Sequence, residues 1–162
     1  MHLWGVLGKG CGGAVTAEKR VSAKDEQVAF REERNQAEKI KIGQYAAGLI
    51  GENDFVYLDA GTTTGYMIPF IKEKTATFVT NAVSHGMRLA QNGFRVILIG
   101  GELKLSTEAI VGNEAYVNLQ KYHFTIGFWG TNGVGREAGF STPDINEAMI
   151  KQCAMKRPQK RY

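Results

Sequence analysis

The chain has 162 residues, of which 43% are hydrophobic and 22% are charged, and its formal net charge is +4. This composition fits one folded domain of ordinary size whose core needs no disulfide or metal, and we expect no large multidomain enzyme. No apolar run approaches the ~20 residues of a membrane-spanning helix, so we expect no integral membrane protein.

The positive charge is concentrated in the last part of the chain. Residues 151–162 carry 5 basic and no acidic side chains, whereas residues 51–150 carry 7 basic and 10 acidic ones, a net charge of −3. A domain that binds duplex DNA normally carries its positive charge on a folded face. We therefore expect no operator-binding surface in the central part, and we interpret Lys156–Arg161 as a basic tail.

Cysteine and histidine residues are few and scattered. Cys11 and Cys153 stand at opposite ends of the chain, and the three histidines are His2, His85 and His123. None of these spacings is typical of a metal site or a disulfide framework, so we expect no metal and no cofactor. A reducing cytoplasm is the expected compartment. His85 is predicted on the exposed surface of a helix.

Helices and short strands alternate along the chain. A long amphipathic helix is predicted first, over residues 25–50, from apolar positions at helical spacing. Runs of β-branched and aromatic residues predict four strands, over residues 55–58, 77–80, 94–99 and 123–129. The other helices are predicted over residues 66–72, 82–91 and 113–119, and from Asp144 to about residue 155.

This alternation predicts the α/β class, with a Rossmann-like, mostly parallel sheet. Because each predicted strand is apolar throughout, helices are expected on both faces of the sheet. Phe128 and Trp129 are expected in the core. Small and polar residues follow each strand, and ligands of open α/β sheets bind at this carboxyl edge.

The segment Asp59–Gly65, which follows the first strand, favours an anion. Gly61 lets backbone amides approach a ligand, and Thr64 is predicted to cap a helix that begins at Gly65. Amides at a helix start, with the helix dipole behind them, bind phosphate. Asp59 is predicted to accept hydrogen bonds from sugar hydroxyls. An ordinary strand-to-helix turn with nothing bound is the alternative.

A nucleotide site is disfavoured. Gly8–Gly13 fits the G-x-G-x-x-G pattern, and Gly133–Ala138 is a near match. The first match lacks a second strand ending in Asp or Glu ~20 residues later, which ribose recognition requires, and no Gly-Lys-[Ser/Thr] sequence forms a P-loop. A dinucleotide or ATP is therefore not expected.

Glu147 and Lys151 stand four residues apart on the last predicted helix. This spacing favours an exposed ion pair. The alternative directs Lys151 into the cleft as a phosphate partner. Pro143 and Asp144 are predicted to fix the entry of the helix.

Seven short motifs occur in order over residues 12–156, and together they resemble the effector-binding domain of DeoR-family bacterial transcription regulators. They are Gly12-Gly13-Ala14, Asp59–Thr64, Val79-Thr80-Asn81, Ile99–Glu102, Val111-Gly112, Gly130–Gly133, and Ser141–Asp144 with Glu147-Ala148 and Lys151.

The resemblance implies a sheet of the kind found in ribose-phosphate isomerases and CoA transferases, with a phosphorylated sugar in the strand-end cleft. It also implies a homo-oligomeric repressor of a sugar-utilisation operon, in a subgroup that handles phosphotransferase-system sugars such as fructose or lactose-derived tagatose. By match, the effector-binding residues are Asp59, Gly61, Thr62, Thr63, Thr64, Thr80, Asn81, Gly100, Gly101, Thr142, Glu147 and Lys151.

The sequence departs from the family pattern at both ends. Residues 1–11 are interpreted as a non-family segment, and residues 12–162 as a sensor domain truncated at its carboxyl end. Family members contact operator DNA through an N-terminal helix-turn-helix, which we do not find in this chain. A further strand that family members carry is expected to be missing after Tyr162.

The alternative function is a sugar-phosphate isomerase on the same scaffold. Isomerisation needs a carboxylate base over the substrate carbons. Asp59, Asp144 and Glu147 are the candidates, and the sequence assigns none of them a neighbour that would tune its pKa. We therefore favour a sensor that is not an enzyme.

Overall fold

The computed structural model describes residues 28–162. The Gly8–Gly13 pattern, the first family motif and the domain boundary after residue 11 lie outside these residues, so the interpretations of them remain predictions.

Six α-helices and nine strands lie within this part of the chain. The helices are α1 (Val28–Glu33), α2 (Gln36–Ala47), α3 (Thr62–Gly65), α4 (Val83–Gln91), α5 (Gly112–Leu119) and α6 (Ile145–Met155), with a 3-10 turn at Ile68–Phe70. The strands are β1 (Phe55–Leu58), β2 (Thr77–Thr80), β3 (Arg95–Leu98), β4 (Glu102–Lys104), β5 (Ala109–Val111), β6 (Phe124–Phe128), β7 (Gly133–Gly135), β8 (Gly139–Ser141) and β9 (Pro158–Arg161).

Five strands form one parallel sheet in the order β3-β2-β1-β6-β9, which confirms the predicted fold class. At the carboxyl edge, Leu58 lies opposite both Thr80 and Phe128. From β1 the chain builds outward through β2 and β3, then returns to the other side of β1 with β6. The strand order therefore reverses between β1 and β6, and open α/β sheets bind ligands at such a switch point.

Helices cover both faces of the sheet, as predicted. Val56 and Leu58 face a core that includes residues of α2, the 3-10 turn and α4. Tyr57, between them in sequence, faces the opposite core with residues of α5 and α6, because successive strand residues point to opposite faces. Phe128 is buried, and Trp129 packs partly buried against the second core.

The helix predicted over residues 25–50 is not continuous, so this prediction is wrong. The chain breaks between α1 and α2 at Asn35, which adopts a left-handed conformation with φ of 53°. Asparagine is among the few residues that visit this region routinely. The break separates the six residues of α1 from the twelve of α2.

The interpretation of Lys156–Arg161 as a basic tail is also wrong. Pro158–Arg161 forms β9, which pairs in parallel with β6 and places Lys160 opposite Ile126. Pro158 is buried and the next three residues are exposed, because β9 is the outer strand of the sheet.

Strand β3, at the other edge of the sheet, is also partly exposed along its length. The antiparallel hairpins β4–β5 and β7–β8 were not predicted.

None of the helices between residues 28 and 162 is both long and apolar enough to cross a bilayer.

Candidate functional site

A cavity of about 390 Å³ opens at the switch point of the sheet. One side is formed by the loop after β1 and another by the segment after β6, while residues of α1, α2 and α6 complete it. The described lining residues are Arg31, Arg34, Asn35, Lys39, Ala60, Gly61, Thr62, Thr63, Gly130, Thr131, Asn132, Glu147 and Lys151.

The loop after β1 enters α3 earlier than predicted. The helix begins after an extended Gly61, and the Gly65 amide donates to the Gly61 carbonyl. Thr64 does not cap a following helix: its hydroxyl contacts the carbonyls of Asp59 and Gly61, each at 2.7 Å. Because α3 is a single turn of four residues, it lacks the aligned peptide dipoles of a long helix. Any attraction for an anion must come from the loop amides, hydroxyls and nearby cations.

Lys151 and Asp59 form a buried ion pair beneath this loop. The Lys151 ammonium contacts Asp59 Oδ2, and the two side chains are 6% and 1% exposed. It also donates to the Gly130 carbonyl at 3.1 Å, while the Gly130 amide lies 3.2 Å from Asp59 Oδ2. Burial raises the pKa of Asp59, and Lys151 acts in the opposite direction. Asp59 therefore holds Lys151 and does not itself line the cavity.

Glu147 has different partners, so the exposed Glu147–Lys151 ion pair is a wrong prediction. Its Oε1 accepts from Thr107 Oγ1 at 2.7 Å and from Lys104 Nζ at 3.1 Å. Lys104 also contacts Asp144 at 2.9 Å. Asp144 stands at the start of α6 as predicted, and its side chain caps the helix by accepting from the Glu147 amide at 2.9 Å. Burial would raise the pKa of Asp144, but hydrogen bonds from Lys104 and the Glu147 amide lower it overall.

Thr80 and Asn81 support the loop from below and do not line the cavity. Thr80 Oγ1 donates to the Leu58 carbonyl at 2.6 Å. Asn81 Oδ1 accepts from the Ala60 amide at 3.0 Å and from the Tyr57 hydroxyl at 3.1 Å. These bonds fix the main chain where β1 becomes the loop.

The sequence also matches a known family. The family model described as the DeoR C terminal sensor domain matches residues 34–162. The chain belongs to this family. The matched residues include every described lining residue of the cavity except Arg31.

Two curated relatives extend the comparison. The uncharacterized HTH-type transcriptional regulator FruR of Bacillus subtilis strain 168 is 45% identical over 130 residues, which is 80% of this chain and 52% of that protein. The lactose phosphotransferase system repressor of Staphylococcus aureus strain N315 is 33% identical over 165 residues, covering 98% of this chain and 63% of that protein. The chain therefore spans between about half and two-thirds of these relatives.

A solved structure of ribose 5-phosphate isomerase A from Methanocaldococcus jannaschii shares the fold. The TM-score is 0.56 at 13% sequence identity, and the match covers 78% of this chain and 51% of that one. At this identity the likeness supports the predicted architecture and nothing finer.

His85 of the sensor domain is buried, which corrects its predicted position on a helix surface. Its side chain lies under the loop, near the carbonyls of Asp59 and Gly61, and the residue is 6% exposed. A Cβ on Gly65 would come within 2.7 Å of His85 Nε2, so glycine is needed there. Burial and the Arg88 charge lower the pKa of His85 to about 4. The ring is therefore neutral at pH 7.

Of the twelve residues implied by the resemblance, five line the cavity: Gly61, Thr62, Thr63, Glu147 and Lys151. Asp59, Thr64, Thr80 and Asn81 lie directly behind them. Gly100, Gly101 and Thr142 stand outside the described lining, so their part in effector binding remains a prediction. Gly101, with φ of 147°, is required by the fold, because a Cβ would lie 2.8 Å from Ile110 and from the Val111 carbonyl.

Sequence reasoning did not find the cationic part of the lining, which consists of Arg31, Arg34 and Lys39. The sequence predicts these residues on the charged face of one long helix, and nothing in the spacing indicates which cations turn toward the sheet edge. Thr131 and Asn132 were also missed, although they follow β6 within a family motif. Within residues 28–162, no group of three His, Cys, Asp or Glu side chains is arranged to hold a metal.

Proposed function

We propose that this sensor domain binds a phosphorylated sugar and belongs to a transcriptional repressor of a sugar-utilisation operon linked to a phosphotransferase system. The observation that carries the proposal is the position of Lys151, which reaches the cavity at the switch point beside the loop Ala60–Thr63.

The proposed phosphate position lies between Lys151 and this loop. An ammonium group has three N–H donors. Lys151 donates one hydrogen bond to Asp59 and one to the Gly130 carbonyl. Its third N–H donor remains for a ligand oxygen. The hydroxyls of Thr62 and Thr63, together with loop amides, would supply the other donors to a phosphate.

The sugar would occupy the remaining part of the cavity, toward Asn132 and Glu147. Glu147 Oε1 is already bonded by Thr107 and Lys104, which orients the carboxylate and leaves Oε2 to accept from a sugar hydroxyl. Asn132 can donate and accept with its amide. Polar groups at a few positions of a small cavity are what ligand orientation requires.

The named relatives suggest the sugar class and the wider context. One is a lactose phosphotransferase system repressor and another is named FruR, so phosphates of sugars such as fructose and tagatose are the proposed effectors. We further propose a homo-oligomer in the cytoplasm, and operator contact through a helix-turn-helix outside residues 28–162. The effector would change operator affinity through the full-length protein.

We propose that the domain is not an isomerase. Glu147 is the one carboxylate among the described lining residues, and its Oε1 is held by Lys104 and Thr107. Asp59 is paired with Lys151, and Asp144 caps α6. A general base must reach a substrate proton. Asp59 and Asp144 have structural partners and stand outside the described lining, so Glu147 is the one candidate base, and we propose that it orients the sugar.

The test is thermal unfolding of the 162-residue chain with matched phosphorylated and free sugars. At a hundredfold excess over Kd, binding adds about 2.7 kcal/mol to the free energy of unfolding, which is roughly 5–10 °C in Tm for a domain of this size. We expect sugar phosphates to raise Tm and free sugars not to. Equal stabilisation by both would contradict the proposal, and isomerase turnover abolished by Glu147→Gln would favour the enzyme.

A further inference from the structure

The hairpin β4–β5 reaches from the segment after β2 to the first turn of α6. On the β2 side, the Ile110 amide donates to the Asn81 carbonyl at 2.7 Å, and the Val83 amide donates to the Glu108 carbonyl at 3.1 Å. Glu108 itself takes a left-handed conformation with φ of 52°. These main-chain contacts fix the turn that precedes β5, and Thr107 stands in this turn.

The other side of the hairpin holds one oxygen of Glu147. Thr107 Oγ1 donates to Glu147 Oε1 at 2.7 Å, and Lys104 Nζ, at the end of β4, donates to the same oxygen at 3.1 Å. Thr107 is buried and lies outside the described lining of the cavity, whereas Glu147 belongs to that lining. Glu147 Oε2 accepts no hydrogen bond from residues 28–162 and is not buried, so it is open to a ligand.

The start of α6 does not need the Thr107 contact. Asp144 already caps the helix through the Glu147 amide, and it forms its own ion pair with Lys104. The Thr107 hydroxyl takes no part in that cap. Two donors on a single oxygen restrict the last torsion of the glutamate side chain, which otherwise varies broadly. Thr107 and Lys104 therefore fix where Oε2 of Glu147 stands.

We propose that the hairpin β4–β5 sets the stereochemical selectivity of the site, by fixing Glu147 so that Oε2 accepts from a sugar hydroxyl of one configuration. The inference rests on the proposed function, in which the phosphate lies at the loop Ala60–Thr63 with Lys151. Thr107 and Lys104 are positioning residues, since they act through Glu147.

The chemistry of Glu147 suits it to this selection. Phosphate and carboxylate are both anions, so the phosphate end of the ligand stays at the loop and a hydroxyl-bearing carbon faces Glu147. A carboxylate only accepts hydrogen bonds. A site with a fixed polar group discriminates strongly against a ligand that leaves this group unpaired. An epimer whose hydroxyl points away from Oε2 is such a ligand.

The competing explanation is a purely structural role for the same contacts. Thr107 and Lys104 would then only compensate the buried charge of Glu147. Their loss would lower Tm and weaken all sugar phosphates alike. Selectivity between epimers separates the two explanations, because the binding of a hydroxyl that points away from Glu147 does not depend on where Oε2 stands.

The experiment is isothermal titration of the 162-residue chain with the 1-phosphates and 6-phosphates of fructose and its epimers psicose, tagatose and sorbose. We expect one phosphate to bind about tenfold more tightly, or better, than an epimer with the same phosphate position, since a hydrogen bond to a charged group is lost. Thr107→Val should reduce this ratio to below about threefold by weakening the preferred epimer. Thr107→Ser keeps the hydroxyl and should keep the ratio.

Two further variants make the reading specific. Ser106→Ala, at the neighbouring position of the same turn, is the matched control and should change neither affinity nor ratio. In a Glu147→Gln background, Thr107→Val should cause no further change in the ratio, because Thr107 acts through the carboxylate.

The outcomes separate the inference from the proposed function. Equal affinity of the native chain for all epimers, an unchanged ratio in Thr107→Val, or an equal loss for both epimers would overturn the inference and leave the proposed function standing. No binding of any sugar phosphate would contradict the proposed function, and the inference with it. The Tm of each free variant shows whether it is folded. If Thr107→Val does not fold, Lys104→Met removes the other donor and gives a second reading.

Discussion

The ammonium of Lys151 meets the carboxylate of Asp59 although the two residues are 92 positions apart in the sequence. Lys151 lies on α6, and Asp59 follows the central strand β1. Both side chains are almost fully buried, and the Gly130 main chain after β6 joins the pair. The contact therefore connects the last helix to the two strands between which the strand order reverses, and it sets one wall of the cavity.

Breaking this pair should destabilise the domain strongly. Asp59→Asn leaves the Lys151 charge buried without its counter-ion, and Lys151→Met leaves Asp59 in the same condition. Removing one partner of a buried pair costs about 3–5 kcal/mol. We expect each single variant to lose stability of this order in urea denaturation.

The double variant Asp59→Asn/Lys151→Met is the matched control. It removes both charges, so its loss of stability should be clearly smaller than the sum of the two single losses. Additive losses, or single variants within 1 kcal/mol of the native chain, would show that the pair does not hold these elements together.

His85 should make stability depend on pH. Its folded-state pKa is about 4 because of burial and the nearby Arg88, whereas an unfolded histidine has a pKa of about 6.5. Between these values the unfolded chain binds a proton that the folded chain does not, so stability falls as pH decreases from 6.5 toward 4. The contribution lost is about 3 kcal/mol.

The measurement is urea denaturation at several pH values between 7 and 4.5. His85→Gln should lose this part of the pH dependence, while His123→Gln, at an exposed histidine, should keep it. Comparing the variants removes the contribution of carboxylates that titrate in the same range. Identical slopes for the native chain and His85→Gln would contradict the buried, neutral state of His85.

Gly43→Ala tests how closely α2 approaches the chain that follows α3. A Cβ there would lie 2.7–2.9 Å from the main chain of Tyr66 and Met67. Alanine alone would favour a helix interior by up to about 1 kcal/mol, but a backbone clash should reverse the sign and cost about 1–3 kcal/mol.

Gly100→Ala provides the comparison for this substitution, because no atom lies within 4 Å of the Cβ it would add. We expect a Tm within about 2 °C of the native value there, and a drop of several degrees for Gly43→Ala. A higher Tm for Gly43→Ala would mean that α2 does not pack this closely.

The sequence predicts the sheet and the loop after β1 because their signals are local. Strands β1, β2 and β6 are apolar runs that end in small or polar residues, and that order places Gly61 and Gly130 at one edge. β9 escaped prediction because its outward residues, such as Lys160, are basic and exposed at the sheet edge. An edge strand with one side in solvent carries little apolar pattern.

The ion-pair partners of the charged residues are less predictable from the sequence than the positions of the strands. Spacing on α6 favoured Glu147 as the partner of Lys151, but tertiary packing brings Asp59 to Lys151 and Lys104 to Glu147. The direction of the Arg31 side chain is equally hard to predict, because it depends on the break at Asn35. A single left-handed residue of this kind has no signature in the helical pattern that surrounds it.

A phosphorylated sugar bound where the strand order reverses would change the surroundings of the amides in the loops at that point. The measurement is a ¹H–¹⁵N spectrum of the labelled chain titrated with the sugar phosphate that raises Tm most. We expect the largest amide shifts at Ala60–Thr63 and Gly130–Asn132, with no comparable shift in β3 or β9. Large shifts confined to the sheet edges or the hairpin β7–β8, with the loop after β1 unchanged, would contradict it.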